Sequence, residues 1–238
     1  MASPRPARKG VPLDATSADT KTRILDAAES LFMEHGFEAT SLRSLTSAAG
    51  VNLAAVNYHF GSKEELFQAV LTRRLDPMNK ERIELIDKLE REAGGKAIAC
   101  ERILFAMLIP ALRLARDEER GGKNFLRLVG RAYADPAPFI RHFLSEQYAE
   151  MIGRYKEAFH KALPQLSRQE LTWRLHFVMG ALSYTLLGAD LLKLFEQVTP
   201  GQGHNDELLL QRLAPFLVAG LKAPPVGDSR KLELVSGD

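Results

Sequence analysis

The chain has 238 residues, 45% of them hydrophobic and 26% charged, with a net charge of +2 and a single cysteine. This composition excludes a disordered chain, and no apolar run approaches the ~18 residues that a membrane-crossing helix needs; Cys100 alone excludes an intrachain disulfide and a cysteine metal cluster. The opening MASPRPARKGVP carries charge and proline where a secretion signal needs an apolar stretch, so a cytoplasmic protein with no membrane partner is expected.

Residues 1–18 show no helical period and are expected to form a flexible tail, with Arg5, Arg8 and Lys9 spread through it. From Ser17 or Asp19, either able to cap a helix, Ile24, Ala28, Leu31 and Phe32 recur at helical spacing, and Gly36 offers a stop. A second, short helix is expected from Thr40 or Ser41, with Leu42, Leu45 and Ala49 inward and its end at Gly50. Only Gly50, Val51 and Asn52 separate it from LAAVNYHF, which Asn52 caps and in which Val56 and Phe60 lie inward one turn apart. After Gly61 and Ser62 a connecting helix begins, interrupted or bent at Pro77 and resuming to a stop at Gly94 and Gly95. Further helices are expected over about 96–116, 123–134, 137–163, 167–197 and 205–221. No period-two apolar alternation marks a strand. The fold class is therefore all-α: a three-helix helix-turn-helix domain over 19–64, a larger helical domain over 65–224, and a second flexible tail over 225–238.

Two short helices joined by a three-residue turn containing glycine form the unit whose second helix enters the DNA major groove. With Leu45, Ala49, Val51, Val56 and Phe60 turned toward Leu31 and Phe32, the outward residues of the second helix are Asn52, Leu53, Ala54, Ala55, Asn57, Tyr58 and His59. An asparagine amide matches adenine N7 and N6, and Leu53, Ala54 and Ala55 suit a thymine methyl, so Asn57 is the leading base reader. Tyr58, His59 and Lys63 are placed to bond phosphates, and Arg43 to reach a phosphate or a guanine edge. Thr40 and Ser41 are expected to cap the preceding helix and hold a further phosphate there. No acidic residue falls between Glu38 and Glu64 to repel that backbone.

In the larger domain Leu171, Leu175, Val178 and Leu182 form one stripe, and Phe216, Leu217 and Leu221 recur on the last helix. This apolar surface is expected to form a four-helix seam in a homodimer, which would also present two recognition helices to a palindrome. Phe105, Leu108, Phe143, Trp173, His176 and Phe177 are the candidate lining of a ligand pocket, with Arg131, Arg141, Arg174 or His176 as partners for a polar ligand end. GxGxxG, a phosphate loop, GxSxG and HExxH are all missing, and the six histidines lack ligand spacing. No catalytic residue, metal or cofactor is therefore expected. The competing non-enzymatic reading is a helix-turn-helix adaptor or a nucleoid protein without operator specificity.

The segment ILDAAESLFMEHGFEATSLRSLTSAAGVNLAAVNYHFGSKEELFQAVL resembles the TetR family of transcription regulators through the Gly36-Phe37 pair, the Thr40-Ser41 start, the Ala49-Gly50-Val51 turn and the Tyr58-His59-Phe60 to Lys63 closure. The resemblance implies a homodimeric repressor of double-stranded operator DNA, released by a small apolar effector bound in the carboxy-terminal domain. The recognition helix departs from the family's commoner Ser-x-Gly-Thr-Leu-Tyr pattern at Asn52, Ala54, Ala55 and Asn57, so no base preference carries over. GVNLAAVNYHFGSK and WRLHFVMGA resemble a branch that contains fatty-acid-responsive regulators, which implies a fatty acid or acyl-CoA effector.

Overall fold

The computed structural model describes residues 13–134, 138–186 and 206–225. Among them every regular element is helical: α1 (Leu13–Ala39), α2 (Leu42–Ala49), α3 (Leu53–Phe60), α4 (Lys63–Ala93), α5 (Cys100–Arg116), a 3-10 turn (Glu118–Arg120), α6 (Gly122–Ala134), α7 (Pro138–Gln147), α8 (Ala149–Ala162), α9 (Arg168–Leu186) and α10 (Asp206–Lys222). The expected tail positions 1–12 and 226–238, and the extension of α9 toward Gln197, lie outside the described residues. Residues from Leu13 are already helical, so α1 starts earlier than the cap expected at Ser17 or Asp19. None of the described helices is long and apolar enough to cross a membrane.

The chain divides into two compact units, one reaching to Asp76 and including Arg131–Phe143, the other comprising Pro77–Gly130 and the chain from Leu144 on. The first unit thus extends past residue 64, where the sequence closes the helix-turn-helix. Pro77 marks the division, and of the interruption or bend expected there the interruption does not occur, since α4 continues through it.

In the first unit Ile24, Ala28 and Phe32 are buried along one face of α1. Gly36 breaks that helix, with φ 82° and ψ 176°, a conformation that favours glycine. The break turns Phe37 inward, where its ring lies 5.1 Å from Phe67 and 5.0 Å from Phe139. Phe32 meets Phe67 edge-on at 5.0 Å; such pairs add about 1 kcal/mol each to the area they bury. Buried Glu29 ties α1 to α4: its carboxylate accepts from Arg74 Nε at 2.7 Å and Nη2 at 3.2 Å, and from Arg73 Nη1 at 3.1 Å.

The core of the second unit is built from Ile103, Leu104 and Leu108 of α5, Tyr155 and Phe159 of α8, Leu171, Val178 and Leu182 of α9, and Leu217 and Leu221 of α10. The Tyr155 hydroxyl donates to Arg82 O at 2.9 Å, and burial pushes its pKa up to about 12. Cys100 is buried too, and desolvation raises its thiol to about 11, which keeps it protonated and unreactive. The single helix expected over 137–163 is two, α7 and α8. No glycine or proline announces the break; Tyr148 makes it, leaving helical geometry at φ −113° and ψ 19° while its ring is buried.

The stripe expected to face a second subunit faces this core instead, since Leu171, Val178, Leu182, Leu217 and Leu221 are all buried within the chain. α9 is apolar on both sides: Trp173, Phe177, Gly180 and Tyr184 share the opposite face and are exposed, as is Phe216 on α10.

Arg174 is buried as well, so it does not offer its charge to a ligand. Its Nε donates to Glu170 at 2.8 Å, and its guanidinium nitrogens donate to the carbonyls of Leu221 (3.0 Å), Ala223 (2.5 Å) and Pro224 (3.0 Å), closing the end of α10. Arg174→Met leaves those carbonyls and Glu170 without their donor, and urea unfolding should show a loss of about 3 kcal/mol. An unchanged midpoint would remove Arg174 from this role.

Candidate nucleic-acid interface

α2 and α3 have eight residues each, so their ends carry much of their definition. Ser41, not Thr40, caps α2: its Oγ accepts from Ser44 N at 3.0 Å, and Ser44 Oγ accepts from Ser41 N at 3.2 Å. Serine here fills the role that glutamate or glutamine usually plays three residues after the cap. At the other end Gly50 adopts the left-handed conformation, φ 62° and ψ 41°. Asn52 Oδ1 then accepts from Ala55 N at 2.9 Å and starts α3. Gly61 N closes α3 on Asn57 O at 2.9 Å, and Ser62 Oγ accepts from Glu65 N at 3.0 Å to start α4.

Of the residues expected to face inward, Leu45, Ala49, Val56 and Phe60 are buried against the α1 core, whereas Leu31, Leu42 and Val51 are half-buried. Outward, Ser41, Arg43, Asn52, Leu53, Ala54 and Asn57 are exposed, and Ala55 and His59 are half-buried. Tyr58 is 82% exposed, an unusual state for so large a ring unless something else covers it. His59 packs edge-on to it at 5.1 Å. Together these side chains offer amide, phenol, imidazole and methyl groups on one surface, with no carboxylate between Glu38 and Glu64.

One candidate departs from expectation, and a second is held at the edge of the surface. Thr40 is buried, 1% exposed, and its hydroxyl donates to Gly36 O at 2.7 Å and Leu31 O at 3.3 Å. It braces the α1 break and turns no hydroxyl outward for a phosphate. Lys63 is half-buried, its ammonium 4.3 Å above the Phe37 ring and 3.5 Å from Glu38 O, which holds the charge at the margin of the surface. Arg23, which sequence reasoning passed over, donates Nη2 to Ala49 O at 2.6 Å and to Gly50 O at 3.1 Å. The only signal for it is a cation on α1, and its acceptors lie at the end of α2 and in the turn that follows.

Of the six residues named for a ligand pocket, the five that lie in the second unit do not share one environment. Trp173, His176 and Phe177 are exposed on α9 and Phe105 on α5, Leu108 is in the core, and Phe143 belongs to the first unit.

A capped, exposed second helix following a tight glycine turn defines a helix-turn-helix. The family model described as bacterial regulatory proteins, tetR family, matches residues 24–70, and the one described as tetracyclin repressor-like, C-terminal domain, matches residues 106–220. The repressor BepR of Brucella suis biovar 1 (strain 1330) is 35% identical over 149 residues, 60% of this chain and 68% of that protein. KstR2 of Rhodococcus jostii (strain RHA1), also a transcriptional repressor, is 38% identical over 69 residues, 28% of this chain and 34% of its own, so the chain spans about a third of that relative. Among solved structures, HlyIIR, a hemolysin II transcriptional regulator, aligns with a TM-score of 0.54 at 18% identity over 85% of this chain and 98% of its own. FadR of Bacillus halodurans aligns at 0.51 and 17% identity over 90% and 99%. This chain belongs to the TetR family of transcription regulators, which are not enzymes.

Asn57→Ala should change which duplexes are preferred and leave the salt dependence of binding intact. Lys63→Ala should weaken all duplexes alike and reduce the slope of log affinity against log salt by about one. Fluorescence anisotropy on a duplex panel at several salt concentrations reads both, and the reverse pattern would exchange the two roles.

Proposed function

We infer that the chain is a repressor that binds a palindromic operator as a homodimer and is released by a small apolar effector held in its carboxy-terminal unit. The observation that carries the DNA reading is the face of α3, where Asn57 and a Tyr58 ring 82% exposed stand outward on a helix capped at both ends. The homodimer rests on α9 and α10. Trp173, Phe177, Tyr184 and Phe216 are each about half exposed or more, and the Trp173 and Phe177 rings stack at 6.0 Å on the surface. A second copy of the chain suits this face, because an eight-residue recognition helix reads little sequence alone and two read a palindrome. Gly180 in the same stripe would let the two helices approach closely.

An effector that prefers the conformation with misplaced recognition helices weakens DNA binding by its coupling energy, about 1 to 3 kcal/mol in such systems. A fatty acid or acyl-CoA is the ligand class, on the resemblance carried by GVNLAAVNYHFGSK and WRLHFVMGA.

Fragments selected from a random DNA pool should contain inverted repeats and bind at least ~1,000-fold better than random duplex at fixed salt. Equal binding to both would favour the nucleoid reading. Palmitate or palmitoyl-CoA should release the selected fragment, and release by neither would remove the acyl assignment. Phe177→Asp should convert the protein to monomer in sedimentation equilibrium and lower operator affinity. A variant that stays dimeric would place the seam elsewhere.

A further inference from the structure

The end of α2 leaves carbonyls that its own turn does not use. Val51 N donates to Thr46 O at 3.0 Å and Gly50 N to Ser47 O at 3.2 Å, the pairing by which a left-handed glycine closes a helix. The carbonyls of Ala49 and Gly50 take no part in it. A single nitrogen from another helix serves both, since Arg23 Nη2 lies 2.6 Å from Ala49 O and 3.1 Å from Gly50 O. Its charge also sits at the negative end of the α2 dipole.

Packing also holds α1 to α2, since Leu45 and Ala49 are buried against α1. At the margin of that packing an open hollow of about 340 Å³ is lined by Arg23, Ala27, Leu31, Ala48 and Ala49. Arg23 reaches from α1 past this hollow to the end of α2. Asp26, on the same hollow, is engaged by Arg73 at 2.6 Å, so it does not compete for the Arg23 guanidinium. A Cβ on Gly50 would stand 2.8 Å from Nη2, so the turn and the guanidinium fit closely. Two residues further on, Asn52 caps α3.

We propose that Arg23 is a positioning residue for the recognition helix: by gripping the Ala49 and Gly50 carbonyls it sets the direction in which α3 leaves the turn, and with it the ratio of specific to unspecific DNA binding. The proposal rests on the DNA reading above, and Arg23 acts in it without touching DNA. Loss of the grip costs site preference, because misaimed base readers no longer meet their bases while phosphate contacts persist. Lysine keeps the charge and a donor, so it should restore part of what methionine loses.

The test uses full-length Arg23→Met and Arg23→Lys in two measurements. In the free protein, amide exchange followed by mass spectrometry should be about tenfold faster over residues 50–56 in Arg23→Met, intermediate in Arg23→Lys, and unchanged over residues 63–75. On DNA, the ratio of affinity for a selected fragment over random duplex should fall about tenfold in Arg23→Met, with the salt slope kept. Equal loss on both duplexes with a shallower slope would make Arg23 a phosphate contact and overturn the proposal. Faster exchange throughout the first unit would make it a general prop, and unchanged exchange with an unchanged ratio would leave it no role; each overturns the proposal. Should the wild-type protein prefer no duplex, the DNA reading fails by itself, and the exchange measurement alone decides whether Arg23 holds the turn.

Discussion

Neither α2 nor α3 is long enough to persist alone, because closing a first helical turn costs more than a few hydrogen bonds return. Their backbone ends must be satisfied where they stand, and the chain does this with caps placed at each end. Ser41 and Ser44 close one end, Gly50 and Arg23 the next, and Asn52 opens α3. Of the side chains on the outer face of α3, only the Asn52 carboxamide is committed to a cap. Asn57 and Tyr58 are left exposed for something outside the chain.

The same economy holds below that surface. The aromatic cluster of Phe32, Phe37, Phe67 and Phe139 depends on the α1 break at Gly36, which Thr40 braces from beneath. Glu29 with Arg73 and Arg74 fixes α4 to α1 through paired charges of which the carboxylate is nearly dry. Removing one partner of such a set costs far more than the set contributes as a whole, since the remaining charge stays buried. Five cations of this unit thus have separate roles, in which Arg73 and Arg74 neutralise, Arg23 caps, Lys63 rests on a ring, and Arg43 is exposed.

Local chemistry made the helix-turn-helix readable. Gly50, Asn52 and the spacing of Leu45, Ala49, Val56 and Phe60 placed α2 and α3 where the structure has them, because caps and short apolar periods act within a few residues. Several of the assignments that failed depended on distant partners. Periodicity identified an apolar stripe on α9 but could not say which of two apolar faces turns inward, and the stripe expected at an interface is the one buried within the chain. Thr40 read as a surface cap because its acceptors, Gly36 O and Leu31 O, become neighbours only after the α1 break forms. The α7–α8 break at Tyr148 has no local breaker, and packing made it. Trp173, His176 and Phe177 read as pocket lining because aromatic residues in a helix suggest enclosure, whereas here they are on the outside.

The outward face of α3 carries the functional assignment, and its most exposed ring is a built-in reporter. Tyrosine nitration by tetranitromethane, read by mass spectrometry with and without a selected operator duplex, tests it most directly. Tyr58 should nitrate readily in the free protein and in the presence of random duplex, and be protected on the operator. Equal nitration in all three conditions would show that α3 does not face DNA.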